Sequence, residues 1–234
     1  IAIMNNKGGV GKTVTAINLA DILVRDYRQR VLLVDCDGQM NLTRFFLPEF
    51  DPEVNWTMAS LLEGDGEAVW SDNVMPLLPD LQLVPGSPDL YTEDLEAVLS
   101  GADGAKIRRV ADLVEAVRED EGADFVLFDC PPGFTAASVA ALLACDEVVI
   151  PMELDGFSLT GAASMRIQLN TLGRVRGKTP AARVLVNRWR DTAFTREVLE
   201  QLRSLWFPVY RQTIRRSDKV PESTVAGYPL SVYS

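Results

Sequence analysis

The fold of this chain is decided by one glycine-rich stretch, Lys7-Gly8-Gly9-Val10-Gly11-Lys12-Thr13. The stretch meets the end of the general phosphate-loop pattern G-x-x-x-x-G-K-[ST], although Asn6 stands where that pattern has its first glycine. An apolar strand over residues 1–5 leads into it, and a helical segment over residues 13–26 leads out. Glycines allow successive backbone N–H groups to turn toward phosphate oxygens at a helix N-terminus. The stretch therefore predicts a nucleotide-binding loop that extends to Val14.

The two lysines of this loop point to different tasks. Lys12 is expected to contact the β- and γ-phosphates, and the hydroxyl of Thr13 is expected to bind Mg²⁺. A second cation aimed at the same phosphates adds little, so Lys7 is expected to reach a nucleotide held by a second copy of the chain. There it would neutralise charge that develops during phosphoryl transfer. A glycine-rich turn with two solvated lysines is the alternative interpretation.

The segment KGGVGKT resembles the deviant Walker A motif of the ParA/MinD ATPases, whose signature lysine matches Lys7. Further likeness at residues 157–161 and 225–229 extends the resemblance over nearly the whole chain. It implies a single P-loop ATPase domain over residues 1–234 that binds ATP and Mg²⁺ and forms a homodimer on ATP binding. It also implies slow ATP hydrolysis, stimulated by a ParB-like or other partner protein.

A carboxylate closes one of the predicted strands. Asp129 follows the apolar run 125–128, which is the Walker B pattern for an acid that helps to hold Mg²⁺, often through water. The DCPPG segment that it opens is close to the DxPP segment typical of the ParA family. A strand that ends in an exposed acid is the alternative, but the phosphate loop upstream favours a magnesium site.

A second acidic segment follows the second strand. Residues 35–43 resemble the family's D-x-D-P-Q-x-N-x-T segment. The resemblance implies that Asp35 supports the Mg²⁺ shell and that Asp37 orients the attacking water. Gly38 and Met40 stand where the family has proline and glycine, which leaves the stiffness of the loop, and hence the hydrolysis rate, open. A solvated turn is the alternative.

Apolar runs alternate with helical-period segments along the chain, which is the pattern of βαβ units. It predicts an α/β fold, a doubly wound, mostly parallel central sheet with helices on both faces. Strands are expected at 1–5, 31–35, 81–84, 125–129, 147–151 and 182–187, with a short one near Val209. Helices are expected at 13–26, 57–62, 91–99, 105–121, 136–144, 159–172 and 195–205. The rest of the Pro- and Gly-rich region 48–88 is expected to form surface loops.

An amide ends one of the late strands. Ligands lie at the carboxyl ends of the strands in open α/β sheets, so Asn187 is a candidate for nucleotide binding. Its side chain offers both a donor and an acceptor. The resemblance implies that this asparagine reads the edge of the adenine. A simple turn residue is the alternative, because asparagine is common in turns.

The composition is that of a soluble globular protein. The 234 residues are 47% hydrophobic and 24% charged, and we expect neither a signal peptide nor a membrane-spanning run. Because the sequence begins inside a strand, we expect further residues before Ile1. The three cysteines lack CxxC spacing and there is no histidine, so reduced, mostly buried thiols are expected. In nitrogenase iron-protein relatives, two cysteines per subunit hold an iron–sulfur cluster; Cys36 and Cys130 lie beside acids, not in the glycine-flanked settings of those relatives.

The net charge of −10 is spread unevenly along the chain. Residues 160–219 contain 13 Lys/Arg and 4 Asp/Glu, a net charge of +9, whereas the remainder contains 10 Lys/Arg and 29 Asp/Glu. A basic face on an otherwise acidic body favours a polyanion as the partner on that side. Arginines that pair locally with acids are the alternative.

Clustered cations in this basic third predict contacts with the phosphate backbone of DNA, which are non-specific and salt-sensitive. Residues 214–222 resemble the ParA segment I-P-R-N-x-R-x-S-E, with Arg216 and Lys219 at its basic positions. Arg190 falls in a loop that the resemblance also assigns to DNA. Aromatic side chains are interleaved with these cations, namely Trp189, Trp206 and Tyr210.

These features together predict a ParA-type ATPase that partitions plasmid or chromosomal DNA, or positions another cargo, in the cytoplasm and on the nucleoid. ATP would promote a dimer that binds DNA non-specifically, and hydrolysis would release it. A MinD-like ATPase would instead end in a basic amphipathic helix that docks on membranes. The residues up to Ser234 show no such helix, so no membrane contact is expected. A small-molecule ATP-dependent ligase on the same fold would need neither Lys7 in trans nor a basic face.

Overall fold

The computed structural model of the chain describes residues 1–64, 70–101, 103–205 and 208–233. Its strands are β1 (Ala2–Ile3), β2 (Val31–Asp35), β3 (Met75–Leu78), β4 (Leu81–Val84), β5 (Phe125–Asp129), β6 (Glu147–Glu153) and β7 (Ala181–Asn187). Its helices are α1 (Lys12–Arg25), α2 (Asn41–Phe46), α3 (Met58–Glu63), α4 (Trp70–Asn73), α5 (Leu90–Ser100), α6 (Gly104–Glu119), α7 (Ala136–Ala144), α8 (Ser158–Arg176), α9 (Ala193–Ser204), α10 (Lys219–Ala226) and α11 (Leu230–Tyr233).

The strands form one sheet in the order β3-β4-β2-β5-β1-β6-β7. Neighbouring strands are parallel except for the pair β3–β4, which is antiparallel. The predicted α/β fold is therefore confirmed. After β1 the chain adds β2, β3 and β4 toward one edge of the sheet. It then returns to β5, next to β1, and adds β6 and β7 toward the other edge, so the winding reverses beside β1. Ligands of such sheets bind at the carboxyl ends of the strands around that point.

Alternate residues of the central strands pack on opposite faces of the sheet, as expected for strands covered by helices on both sides. Val31 and Leu33 of β2 join a core with Ala16 and Ile17 of α1. Leu32, on the opposite face of β2, joins the other core, which includes residues of α3, α5, α6, α7, α8 and α9. Burial of each such leucine contributes about 2 kcal/mol to stability. Both cores hold the carboxyl ends of the strands in fixed register.

The structure departs from the sequence-based prediction in region 48–88. Strand β3 forms a hairpin with β4 through a turn at Pro79 and Asp80, although this stretch was predicted to be a surface loop. The prediction was wrong because Pro76 is uncommon in strands. It is tolerated here since β3 is an edge strand, where a missing N–H breaks no ladder. The short strand predicted near Val209 is a single parallel bridge to Val184. Within the described ranges, none of the helices has the length and apolar character needed to cross a membrane.

Candidate nucleotide-binding and hydrolysis site

The glycine-rich loop runs from the carboxyl end of β1 to the first residue of α1. Gly9 and Gly11 adopt φ values of 73° and 93°, a region that favours glycine. At Gly11 a Cβ atom would also lie 2.5 Å from the Nδ2 atom of Asn187. No side chain caps the N-terminus of α1, so the N–H groups of its first turn are open to an anion. This backbone geometry suits a phosphate, and the contacts predicted for the residues from Gly8 to Val14 stay predictions.

Asn187, at the end of β7, supports this loop directly. Its Nδ2 atom donates to the carbonyl of Val10 at 2.8 Å, and its Oδ1 atom accepts from the N–H of Arg188 at 2.9 Å. The same side chain lines a cavity of about 620 Å³ beside Gly11 and Val14. One amide hydrogen and one oxygen lone pair are left for a ligand in that cavity. The proposed adenine contact stays a prediction, and sequence reasoning missed the contact with Val10.

Lys12 points into the site. Its side chain is 8% exposed, and its Nζ atom donates to the carbonyl of Lys7 at 3.2 Å. Burial lowers the pKa of Lys12, whereas the negative charges of Asp129 and Asp37 oppose that shift. A buried ammonium beside two carboxylates is positioned to bind the oxygens of a polyphosphate.

Asp129 is 1% exposed, and its Oδ1 atom has no hydrogen-bond partner among the described residues. Burial and the neighbouring carboxylate of Asp35 raise the pKa of Asp129 well above its usual range, and a hydrogen bond from Thr13 opposes the shift. Leaving a buried carboxylate oxygen unpaired is unfavourable. A hard cation removes this cost by taking oxygen ligands. The pair Thr13 and Asp129 therefore fits the predicted Mg²⁺.

Asp35 lies next to Asp129 in the sheet, but both of its oxygens are occupied. Its Oδ2 atom accepts from the N–H and the hydroxyl of Thr43, at 2.9 and 2.7 Å, and its Oδ1 atom accepts from the N–H of Asp37 at 3.1 Å. Burial raises the pKa of Asp35 to about 6 despite these donors. The structure places Asp35 as the inner anchor of the loop from Asp37 to Thr43, in line with a supporting role.

The loop that carries Asp37 has an unusual backbone. Met40 is buried and adopts φ 58°, which explains why glycine suits this position in the family segment. The Oδ1 atom of Asp37 accepts from the N–H of Gln39 at 2.9 Å. Gly38 lies under the ring of Tyr91, the second residue of α5. Sequence reasoning missed Tyr91, because no motif marks a tyrosine that far along the chain.

Lys7 points away from its own loop. Its Nζ atom forms an ion pair with Asp155, which follows β6, and the two side chains are 53% and 36% exposed. This pair lowers the pKa of Asp155. Asp155 is itself fixed by the N–H of Phe157 at 3.0 Å and the hydroxyl of Ser158 at 3.0 Å. The sequence analysis did not predict Asp155, since a lone acid after a strand carries no signal.

Comparison with known proteins identifies the family. The AAA_31 family model, described as an AAA domain, matches residues 1–179. The chain is 33% identical to the chromosome partitioning protein ParA of Caulobacter vibrioides, over 100% of this chain and 86% of that protein. It is 39% identical to the chromosome-partitioning ATPase Soj of Thermus thermophilus, over 79% of this chain and 66% of that protein. The chain belongs to the ParA/MinD family of ATPases.

The fold of this ParA/MinD-family chain is also that of McdA. The structure of nucleotide-free McdA from Cyanothece matches with a TM-score of 0.84 and 23% sequence identity, covering 99% of this chain and 91% of that one. The matches to the family model and to the two partition proteins confirm the family resemblance of the segment KGGVGKT. The roles of individual residues, from Lys7 to Lys219, stay predictions.

The predicted DNA contacts of this family member lie close together on what we call the basic segment, residues 188–190 and 211–219. Backbone hydrogen bonds join its two parts: the N–H of Trp189 donates to the carbonyl of Ile214 at 2.8 Å, and the N–H of Arg216 to that of Trp189 at 3.2 Å. Lys219 begins α10 immediately afterward. Within the described ranges, five exposed cations of this segment form no ion pair, namely Arg190, Arg211, Arg215, Arg216 and Lys219.

Other arginines of the basic third are paired locally. Arg188 lies 3.3 Å from Glu153, and Arg196 lies 2.6 Å from Asp191. Trp206, one of the interleaved aromatic residues, lies outside the described residues. Cys36, Cys130 and Cys145 are all buried, which confirms the expectation of mostly buried thiols.

Proposed function

We propose that this chain is a ParA-type ATPase that partitions plasmid or chromosomal DNA, or positions another large cargo, in the cytoplasm and on the nucleoid. Family membership and the phosphate cradle between Gly8 and Thr13 support ATP as the ligand. Thr13 and Asp129 would hold Mg²⁺, with Asp35 behind them. The bound ion would neutralise charge on the phosphates and bridge their oxygens. Asn187 would meet the base in the adjacent cavity.

One observation carries the proposal of a dimer, namely the outward position of Lys7. Its ammonium is half exposed and held by Asp155, while Lys12 alone occupies the interior of the loop. Since Asp155 holds Lys7 outside the interior of the loop, Lys7 would serve the nucleotide of a second copy. Phe157 lies two residues from Asp155 and is 80% exposed, which gives the same face an apolar contact for that copy. Formation of the dimer would exchange the ion pair with Asp155 for contacts with phosphate in trans.

Hydrolysis in this proposal depends on position and charge. Asp37, at the carboxyl edge of β2, would orient the attacking water and accept its hydrogen bond. Lys12 from the same chain and Lys7 from the second copy would stabilise charge on the transferred phosphoryl group. A partner protein would stimulate this slow reaction.

DNA binding would follow from the same switch. The exposed cations of the basic segment suit a phosphate backbone of any sequence. Arg215 and Arg216 also line the cavity beside Gly11, so one segment faces both the nucleotide and the solvent. Two such segments in a dimer would double the number of phosphate contacts. Nucleotide-dependent assembly would therefore control DNA binding.

Light scattering of the purified protein, with and without ATP and Mg²⁺, tests the proposal. Asp37→Ala is expected to give a stable dimer with ATP, because binding is retained and hydrolysis is slowed by about a hundredfold or more. Lys7→Ala in the Asp37→Ala background is expected to bind ATP and remain a monomer. The matched control is Lys178→Ala, which removes an exposed lysine between α8 and β7. A monomeric Asp37→Ala variant, or a dimer that persists without Lys7, would contradict the proposal.

A further inference from the structure

Tyr91 lies where α5 meets the loop that carries Asp37. The side chain is 48% exposed, and the N–H of Tyr91 donates to the carbonyl of Pro88 at 3.0 Å, which fixes the start of the helix. Its ring covers Gly38, where an added Cβ atom would lie 2.8 Å from the Cζ atom of Tyr91. Real Cβ atoms do not approach a ring carbon so closely. Only glycine at position 38 therefore allows the ring to take this place.

A hydrogen bond ties Tyr91 to the same loop a second time. The Nε2 atom of Gln39 donates to the hydroxyl of Tyr91, and the backbone N–H of Gln39 donates to the carboxylate of Asp37. The tyrosine thus contacts both residues that follow Asp37. Its hydroxyl is one hydrogen-bonded residue away from the carboxylate proposed to orient water.

This loop needs an external support. Glycine has more backbone freedom than any other residue type, so Gly38 does not fix the backbone by itself. Met40 adopts a positive φ that an L-residue rarely takes. Asp35 holds the loop from inside through the N–H groups of Asp37 and Thr43. Tyr91 covers it from outside. The two together leave the tip, residues 37–40, little room to move.

We propose that Tyr91 is a positioning residue for ATP hydrolysis, whose ring over Gly38 and bond to Gln39 hold the Asp37 carboxylate in place. Tyr91 acts through the loop and does not touch the phosphates. The inference rests on the proposed function of the site. The contacts of Tyr91 with the loop supply the stiffness that a proline at position 38 would otherwise supply.

Amide hydrogen exchange in the nucleotide-free protein tests the support itself. Tyr91→Ala is expected to speed exchange of the amides of residues 38–40 about tenfold, and Tyr91→Phe, which keeps the ring, about threefold. Tyr27→Ala is the matched control, because Tyr27 is 66% exposed and lies between α1 and the amino end of β2, away from the loop that carries Asp37. Unchanged exchange in Tyr91→Ala would overturn the proposal.

Steady-state kinetics separates a positioning role from a merely structural one. Tyr91→Ala is expected to lower kcat about tenfold while KM for ATP changes less than about twofold, because the phosphate cradle does not touch Tyr91. Tyr91→Phe and Gln39→Ala are each expected to lower kcat about threefold, and the double variant no further, since both remove the same bond. If kcat and ATP affinity fell by the same factor and the melting temperature also fell, the role of Tyr91 would be structural and the proposal would be overturned.

Gly38→Ala tests the contact between Gly38 and Tyr91 from the side of the loop. In the wild-type background the new methyl group displaces the ring, so kcat is expected to fall about as far as in Tyr91→Ala, roughly tenfold. In the Tyr91→Ala background the methyl group meets no ring, so no further loss is expected. Independent, multiplicative losses would contradict the proposal. A wild-type protein without ATPase activity would refute the proposed function, whereas the exchange measurement would still decide whether Tyr91 holds the loop.

Discussion

The nucleotide site and the basic segment treat their charges in opposite ways. Lys12, Asp35 and Asp129 are at most 8% exposed, and hydrogen bonds to specific neighbours hold Lys12 and Asp35. Five cations of the basic segment, among them Arg190 and Lys219, are exposed and form no ion pair within the described ranges. Buried charges suit one ligand of fixed geometry, because they lose hydration unless that ligand or a partner compensates. Exposed, unpaired cations suit a polyanion of any sequence.

The two regions are physically connected by the cavity beside Gly11, which Arg215 and Arg216 line from the side of the basic segment. The connection gives the comparison a direction. A change in the site should alter nucleotide binding and everything that depends on it. A change at the outer cations should alter DNA binding alone.

Lys12→Ala is expected to have the largest effect. Removal of the buried ammonium leaves the phosphates without their main cation, so ATP affinity should fall by about a hundredfold or more. DNA binding that depends on ATP should disappear as well. Isothermal titration calorimetry with ATP and Mg²⁺ measures the first effect, with Lys178→Ala as the control. Tight ATP binding by Lys12→Ala would show that the loop does not bind nucleotide in the proposed way.

The parts of the site that sequence reasoning found are those that a local pattern encodes. The spacing of glycines and lysines from Lys7 to Thr13 is set by one loop, and the acid of Asp129 by the end of one strand. Alternation of apolar runs with helical segments likewise predicted the parallel sheet, because central strands such as β2 are buried on both faces. Such features need no knowledge of distant residues.

The parts that were missed depend on residues brought together by the whole fold. Asp155 and Tyr91 are 148 and 53 positions after their partners Lys7 and Gly38, and no motif links them. The hydrogen bond from Asn187 to Val10 connects the end of β7, at the edge of the sheet, with the loop that follows β1. Strand β3 was missed because Pro76 hides it, although an edge strand tolerates proline.

A double variant of the basic segment tests whether the regions separate. Arg190→Ala with Lys219→Ala removes two exposed cations that do not line the cavity. DNA binding is expected to weaken about tenfold at moderate salt, and the slope of log K against log salt to fall by about 2. ATP affinity should not change. Fluorescence anisotropy with short duplexes of unrelated sequence measures both quantities.

Two further variants make this second test decisive. Arg196→Ala is the matched control, because Arg196 is already paired with Asp191 at 2.6 Å and should leave the salt slope unchanged. Arg216→Ala should weaken both ATP and DNA binding, since Arg216 belongs to the cavity wall as well as to the basic segment. Equal effects of Arg196→Ala and the double variant would mean that net charge alone, rather than this segment, attracts DNA.

The smallest effect is expected at the amino ends of β2 and β5, away from the nucleotide site, where Asp124 pairs with Arg30. The guanidinium and the backbone N–H of Arg30 lower the pKa of Asp124 to about 2, from an ordinary value of 3.8. A depressed pKa stabilises the fold above the ordinary value, and this contribution is lost as the pH falls from about 4 to about 2. In Asp124→Asn it is absent at every pH, so the melting temperatures of the two proteins should converge over that range. The pair is exposed, so the difference should be small and should shrink in salt. Thermal unfolding by circular dichroism checks this, and a constant difference between pH 7 and pH 2.5 would rule out the ion pair as its source. ATP and DNA binding should both be unaffected, because Asp124 touches neither the site nor the basic segment.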